Sequence, residues 1–256
     1  MEKQRRPRPN SRRKRAPTMQ HPPHAEMSNS ERIAEMNALN ANMHGKNEEE
    51  TESEYDTQSE AWRLGYDDGV MQAEGGMENI QSDPVTQSAL SDAAQASGVS
   101  QDDLTAMAII ESTGNRDVGT NRSGFTGLMQ MGRRASQDVD MPFEDLKGAD
   151  NVDNNALAGA RYWNLNDQWL NEEIPRDPLH MYLAHQQGAG GTNSLMSTLA
   201  EDPNTTASRN QRNNLPGRVV QTLGNVTAQD FYDYWSGKMT AIQDAVHGEE
   251  VNGKRN

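Results

Sequence analysis

A glutamate stands where an apolar residue would be expected. Leu104, Met107 and Ala108 take positions i, i+3 and i+4 of a helical stripe, and the next member, at i+7, is Glu111. It follows Ala106-Met-Ala-Ile-Ile110, the most apolar run in the chain. A carboxylate on a face destined for the core is costly. Burial disfavours its charged form and raises its pKa. That is the condition a general acid needs near neutral pH. The alternative is that the helix ends here and Glu111 turns to solvent or pairs with Arg116. Spacing alone leaves both readings open.

Three further groups of residues follow in order. They are Ser123-Gly-Phe-Thr-Gly127-Leu-Met-Gln130, then Asn154, Asn155 and Gly159-Ala-Arg-Tyr162-Trp163, then Tyr182-Leu-Ala-His185-Gln-Gln-Gly188. With Glu111, Ser112 and Asn115 ahead of them, this set resembles the soluble lytic transglycosylase family, a branch of the lysozyme-like superfamily. The resemblance covers roughly residues 85–200. It follows the family's order: a catalytic Glu followed by Ser and Asn, a Ser-x-x-x-Gly-Leu-Met-Gln segment, an Asn-rich helix start with a Gly, and a final Ala-Tyr-Asn-x-Gly motif. The last motif departs from the pattern. Ala184-His185-Gln186-Gln187-Gly188 puts His at the Tyr position and Gln at the Asn position. Variants of this kind look similar to those of bacteriophage virion transglycosylases.

The resemblance implies cleavage of the β-1,4 bond between N-acetylmuramic acid and N-acetylglucosamine in peptidoglycan, with no cofactor and no metal. Glu111 would protonate the leaving oxygen and then, as carboxylate, take the proton of the muramoyl 6-hydroxyl, giving a 1,6-anhydro product. His185 would orient Glu111 in place of the family's Tyr, and an unperturbed imidazole there would titrate near pH 6.5. Ser123 would lie near the acid, and Gln130 would hydrogen-bond the sugar or its N-acetyl group. Gln186 and Met129 join the expected substrate contacts. Leu128 and Met129 would line the groove floor or the core behind it. Tyr162 sits on a helix beside the site, with a plain core role as the competing reading. Two other classes stay open: a structural virion protein with an inactive transglycosylase fold, and a hydrolytic lysozyme. For the latter, Asp117 is the obvious second carboxylate, although an inert surface aspartate explains it better.

Other chemistries are poorly served. The chain has no cysteine, which excludes disulfides, zinc–thiolate sites and thiol nucleophiles. His21-Pro-Pro-His24 offers two imidazoles with no third ligand nearby. There is no His-Glu-x-x-His, Gly-x-Ser-x-Gly or phosphate-binding glycine loop.

The elements that must hold these residues read as helices. Asp83-Pro84 is a cap-plus-proline start, and Gly98 is a stop. Ser100-Gln-Asp-Asp103 opens the helix that carries Glu111. A helix is expected to open near Gly127–Gln130, another over about Asn154–Glu173, a third from Asp177-Pro178 to Gly188, and a short one over Thr192–Ala200. Residues 201–215 read as loop, and Thr227-Ala-Gln-Asp230 starts a last helix through Phe231, Trp235, Met239, Ile242 and Val246. No alternating strand is evident. The expected fold is therefore mainly α: a lysozyme-like helical domain over 82–200, a loop and C-terminal helix over 201–256 that extend or complete it, and a disordered arm over 1–80.

Composition supports the arm. Apolar residues make up 33% of the 256 and aromatics 5%. With glycine counted the apolar share is about 41%, below the roughly 45–50% of ordinary globular domains. The first 16 residues hold eight Lys and Arg, from Lys3 to Arg15, against Glu2 alone. Residues 47–60 hold seven acids and no base. Neither stretch buries enough apolar surface to offset its ordering entropy. A short helix around Glu31–Leu39 and a sticky patch at Trp62, Leu64, Tyr66, Val70 and Met71 are the local exceptions. The basic arm, residues 3–15, is suited to nonspecific DNA contact through phosphates or to an acidic virion surface. No apolar run reaches the roughly 20 residues of a membrane span, and no export signal follows the basic start. The expected setting is a virion protein made in the host cytoplasm and acting on the host wall. Its expected partners are peptidoglycan strands and other virion proteins, as a homo-oligomer or core assembly.

Overall fold

The structure is a computed structural model that describes residues 55 and 57–248. Among these, ten α-helices follow one another: α1 (Glu60–Ser82), α2 (Pro84–Ser97), α3 (Gln101–Ser112), α4 (Arg133–Asp138), α5 (Val152–Trp169), α6 (Pro178–Gln187), α7 (Ala189–Glu201), α8 (Arg209–Asn213), α9 (Gly217–Leu223) and α10 (Ala228–Val246). Two 3-10 turns, Phe143–Leu146 and Ala149–Asn151, lead into α5. The described residues form no strand, only isolated bridges at Thr126–Met131 and Thr206–Thr227. The mainly α architecture expected from the sequence is the one observed.

Helix starts follow the capping logic. Asp83 accepts from the Val85 N–H at 3.2 Å, with Pro84 in the first turn of α2 and Gly98 ending it at φ 77°. Ser100 accepts from Asp102 and Asp103 at the start of α3. Asp177 accepts from the His180 N–H at 3.0 Å ahead of α6. Thr227 and Asp230 form a reciprocal capping box on α10. These caps satisfy first-turn N–H groups that no helical carbonyl can reach.

The arrangement departs from expectation in three places. The helix expected at Gly127–Gln130 is a tight turn instead. Gly127 and Gln130 both take positive φ, 75° and 44°, and the Thr126–Met131 pair closes the turn with N–H···O bonds of 3.1 and 3.0 Å. The loop expected over 201–215 contains α8, which a Ser208–Gln211 capping box starts. The largest correction concerns the arm expected over residues 1–80: its last part, Glu60–Ser82, is the 23-residue helix α1. The basic residues 3–15 and the expected Glu31–Leu39 helix lie outside the described residues.

The feature that disguised α1 in the sequence is what docks it. Its buried positions are Ala61, Trp62, Gly65, Gly69, Ala73, Gly76 and Ile80, a stripe of mostly small residues at helical spacing. Helix α10 lies against that stripe. A Cβ on Gly65 would land on the Tyr234 carbonyl, and one on Gly69 would stand 2.6 Å from the Lys238 carbonyl oxygen. From the other side, a Cβ on Gly237 would land on the Trp62 carbonyl. Polar contacts flank the seam: the Tyr234 hydroxyl donates to Asp68 at 2.7 Å, the Ser59 hydroxyl donates to Asp233 at 2.6 Å, and Arg218 pairs with Asp68. The Trp62 and Tyr66 rings stack at 4.9 Å. The sticky patch is thus partly spent within the chain, with Trp62 buried and Met71 left 57% exposed.

Helix α10 also packs on α3, α6 and α7, and α5 packs on α2, α3, α6 and α7. Phe231, Tyr234, Leu104, Ile109, Leu128 and Met181 are fully buried in one continuous core. The seam gives a prediction in which two effects have opposite signs. Helix propensity alone favours Gly→Ala by roughly 1 kcal/mol. Here the new methyl meets backbone that has nowhere to go. Gly237→Ala is therefore expected to destabilise the protein by about 3 kcal/mol, read as a lower urea midpoint. An unchanged or higher midpoint would mean that the seam is loose.

Candidate active site

Glu111 occupies the last turn of α3, and the chain stops the helix immediately after it. Thr113 (φ 54°) and Gly114 (φ 65°) take left-handed backbone, and their N–H groups return to Ile109 and Ala108 at 2.8 and 3.0 Å. A Cβ on Gly114 would stand 2.7 Å from the Gly76 carbonyl oxygen of α1, so both the φ and the space call for glycine. Side-chain amides of α1 also reach carbonyls at this end. The Gln72 Nε2 donates to the Ile109 and Ile110 carbonyls at 2.7 and 2.8 Å, and the Asn79 Nδ2 donates to the Thr113 carbonyl at 2.8 Å. Ser112 turns inward, its hydroxyl donating to the Ala108 carbonyl at 3.0 Å.

The Glu111 side chain is 17% exposed. Burial pushes its pKa up from 4.5 to about 8, with the nearby Lys238 ammonium and a hydrogen bond donated by the Tyr182 hydroxyl pulling the other way. The acid is therefore protonated at neutral pH, yet its anionic form keeps two stabilising partners. Arg116 does not neutralise it. That guanidinium pairs with Asp83 at 2.8 Å and reaches the Ala149 carbonyl at 3.3 Å. Of the two readings the sequence left open for Glu111, the structure takes the buried one.

His185 sits on α6, one turn beyond Tyr182. Its Nε2 lies 3.2 Å from the Met129 carbonyl oxygen and 3.8 Å from the Glu111 Oε1. Burial lowers its pKa from 6.5 to about 4, against the opposing pull of the Met129 carbonyl. The imidazole is thus neutral at physiological pH and donates from Nε2 to Met129, while Nδ1 finds no partner among the described residues. The hydroxyl facing Glu111 belongs to Tyr182, a residue of the last motif for which no role was expected. Helical spacing i, i+3 from the motif His was the available signal, because it puts both side chains on one face.

The other expected site residues divide. Tyr162 on α5 packs its ring edge-on to His185, at 5.5 Å between centroids. The Gln186 Nε2 donates to the Tyr182 hydroxyl at 3.3 Å. These two join Glu111, Tyr182 and His185 in one cluster. Met129 is different. Its side chain is buried against Gly159, where an added Cβ would stand 2.7 Å from the Met129 Cγ. As a side chain it belongs to the core, and only its carbonyl faces the site. Gln130 holds the turn: its Nε2 donates to the Gly127 carbonyl at 2.8 Å, and its Oε1 accepts from Asn121 at 2.9 Å. Ser123 is exposed on the neighbouring turn, its N–H on the Asn121 Oδ1 at 2.8 Å. Asp117 is also exposed.

Asn155, buried on α5, fixes that turn against the helices. Its Oδ1 accepts from the Met129 N–H at 2.7 Å, and its Nδ2 donates to the Thr126 and Leu146 carbonyls at 3.0 Å each. Gly127 must be glycine here, because a Cβ would stand 2.6 Å from the Asn155 Cγ. Lys238 is a second participant that no motif marks. It arrives from α10, about 127 residues downstream of the acid, so no local spacing links the two. Burial lowers its pKa from 10.5 to about 8, opposed by Glu111 and reinforced by Arg218. Among the described residues no group of His, Cys, Asp and Glu could hold a metal ion.

The family model described as transglycosylase SLT domain matches residues 88–205. That domain is the one of lytic transglycosylases, which are glycan-cleaving lyases, and its lysozyme-like helical fold agrees with the helices seen here. The matched span holds Glu111, Tyr162, Tyr182 and His185, and leaves α1 and α8 to α10 outside it. No curated protein and no solved structure matches the chain.

A raised carboxyl pKa fixes the sign of a stability effect. Between the ordinary value of 4.5 and about 8 the folded state holds a proton on Glu111 that the unfolded state has released. Stability from this group is full below 4.5 and is lost as pH rises towards 8. Glu111→Gln removes the effect. The variant is expected to match the wild type below pH 4.5 and to exceed it by on the order of 4 kcal/mol above pH 8. Urea unfolding of both proteins across pH 4–9 checks this; parallel curves would place the carboxyl in water.

Proposed function

We propose, on the strength of the SLT transglycosylase domain carried at residues 88–205, that this chain cleaves the N-acetylmuramic acid–β-1,4–N-acetylglucosamine bond of peptidoglycan and leaves a 1,6-anhydro end. The observation that carries the reading is Glu111: a single buried acid with a pKa near 8 whose anion is met by a hydroxyl and an ammonium. Neither of those partners is a carboxylate, and Asp117 lies exposed in the loop. This favours a mechanism with one acid over a pair of carboxylates set for a nucleophile or an activated water.

In this mechanism Glu111 donates its proton to the glycosidic oxygen as the C1–O bond breaks and positive charge develops at C1. The resulting carboxylate is held by the Tyr182 hydroxyl. It then takes the proton of the muramoyl 6-hydroxyl, whose oxygen closes on C1. The proton lent in the first half returns in the second, and the nucleophile belongs to the substrate. His185, neutral across the working range, braces the Met129 carbonyl and the Tyr162 ring rather than exchanging protons.

The setting we propose is a bacteriophage particle, in which the enzyme opens the host wall locally during entry. The Ala184-His185-Gln186-Gln187-Gly188 variant supports it through its likeness to virion transglycosylases. The basic residues 3–15 would then serve as the tether to packaged DNA or to other virion proteins.

Two measurements test the reaction. Glu111→Gln should lower release of muropeptides from purified peptidoglycan by about 10²-fold or more, and mass analysis of the wild-type products should show anhydro ends. Reducing ends instead would assign a hydrolase, and no release by the wild type would refute the enzyme reading. Tyr182→Phe deletes a hydrogen bond to a charged group, worth roughly 1.5–3 kcal/mol. It should cut kcat by about ten- to a hundred-fold, more than His185→Ala does. The reverse ranking would return the orienting role to His185.

A further inference from the structure

The turn that bears on the acid carries an aromatic ring on its outer face. Thr126 and Met131 exchange N–H···O bonds of 3.1 and 3.0 Å, so they form a paired rung of a short antiparallel ladder. Their side chains are buried. Side chains alternate along such a ladder, so the next rung, Phe125 and Gly132, faces the other way. Phe125 is accordingly 44% exposed. Its ring leans across the rung onto Gly132, where an added Cβ would stand 3.0 Å from the Phe125 Cε1 and 3.2 Å from the Cδ1. Gly132 has ordinary extended backbone, φ −92° and ψ 164°. Its conformation does not call for glycine, whereas the seat of the ring does. The pedestal is tied down by Asn121. The Phe125 N–H donates to the Asn121 Oδ1 at 3.2 Å, the Phe125 carbonyl accepts from the Asn121 N–H at 2.8 Å, and the Asn121 Nδ2 donates to the Gln130 Oε1 at 2.9 Å.

The ring lies within reach of a sugar strand held at the acid. Met129, inside the turn that the ladder closes, puts its carbonyl 3.2 Å from the His185 Nε2, which is 3.8 Å from the Glu111 Oε1. Gly132 is three residues further on, so its Cα lies at most ~11 Å from that of Met129. Phe125 sits across one rung, about 4.5 to 5.5 Å from Gly132 between Cα atoms. The other large apolar side chains left exposed, Met71, Val85 and Trp169, stand on α1, α2 and α5. Two side chains expected to touch substrate are committed elsewhere: Met129 to the core, and both amide atoms of Gln130 to the turn.

We propose that Phe125 is a sugar-binding residue: its exposed ring packs on the C–H face of a pyranose in the glycan strand, within one or two sugars of the bond that Glu111 cleaves. The proposal rests on reading the chain as a peptidoglycan-cleaving enzyme and deepens that reading by naming a substrate contact. A β-1,4-linked pyranose carries its hydroxyl and N-acetyl groups around the edge and C–H groups on its faces. An aromatic face, negative at its centre, accepts those C–H groups and removes them from water. A phenyl ring donates no hydrogen bond, so it grips the strand without choosing among the polar groups on the sugar's edge. The glycine seat keeps that ring in one place, so little rotamer freedom remains to be lost when a sugar arrives.

The test reads the ring directly and needs no turnover. The chain has only three phenylalanines, of which Phe231 is fully buried and Phe143 lies under Arg133 and Lys147. In the full chain carrying Glu111→Gln and ring-¹³C phenylalanine, the Phe125 signal is identified by its loss in Phe125→Tyr. Titration with soluble, un-cross-linked peptidoglycan strands should shift that signal and leave Phe231 still. Phe125→Ala should weaken strand binding roughly ten-fold, and Phe125→Tyr, which keeps the ring, should stay within about two-fold of its parent. In the active chain Phe125→Ala should raise KM on peptidoglycan by a similar factor. A still Phe125 signal on strands that bind overturns the proposal, and so do strands that do not bind. An alanine variant that binds like its parent overturns it as well, as does a loss that tyrosine fails to restore. A shifted ring in a protein whose wild type releases no muropeptide would uphold the sugar contact and refute the reaction. Cleavage with a still ring would do the reverse.

Discussion

A carboxyl group has to be taken out of water without being left alone, and this constraint organises the molecule. A desolvated acid with no partners would stay protonated and never cycle, whereas one in full solvent would ionise near pH 4.5 and have no proton to give. Glu111 lies between these limits because four helices meet around it. Helix α3 carries it to a terminus, α6 supplies a hydroxyl, α10 supplies an ammonium, and α1 ties down the carbonyls of the turn with Gln72 and Asn79. Each contribution is modest. Together they keep a costly group in a place where its protonation can change at moderate pH.

The opposite wall of the site is built on another buried polar residue, this one fully satisfied. Asn155 uses its carbonyl and both amide hydrogens on three backbone partners. Such a network resists small displacements, since breaking any one bond strands a buried group. It presses the 126–131 turn onto α5, and the Met129 carbonyl is thereby aimed at His185. Asn155 and His185 grip Met129 by its two backbone polar atoms from opposite sides, so the Met side chain can serve the core while its main chain serves the site.

Much of this was legible in the sequence. Asp83-Pro84, Ser100, Asp177-Pro178 and Thr227 located helix starts because capping is local chemistry, and the misfit of Glu111 on its stripe needed only a helical period. What escaped was set by distance or by small residues. Gln130 looked helical because left-handed backbone at a non-glycine leaves no mark in composition. Gly65, Gly69 and Gly76 carry no side chain to mark a buried face, and only the approach of α10 to the first two and of Ile109 on α3 to the third turns them into contacts. Lys238 was invisible for the same reason: its meaning depends on a helix pair joined by about 145 residues of intervening chain. The alternative of Arg116 as partner for Glu111 was reasonable by spacing and failed because Arg116 pairs with Asp83, the cap of the preceding helix α2.

The seam between α1 and α10 joins the first described helix to the last, so it fixes the order in which the site is finished. Closing a loop of that length carries a large entropic penalty before any contact repays it, and non-local pairing of this kind slows folding. During synthesis the acid, its hydroxyl and the Asn155 latch emerge long before residue 238 does. A nascent chain therefore holds a glutamate whose surroundings are incomplete, and the last turns of α10 are what close it. Docking of α10, rather than the folding of the matched segment alone, is the point at which the acid acquires its working environment.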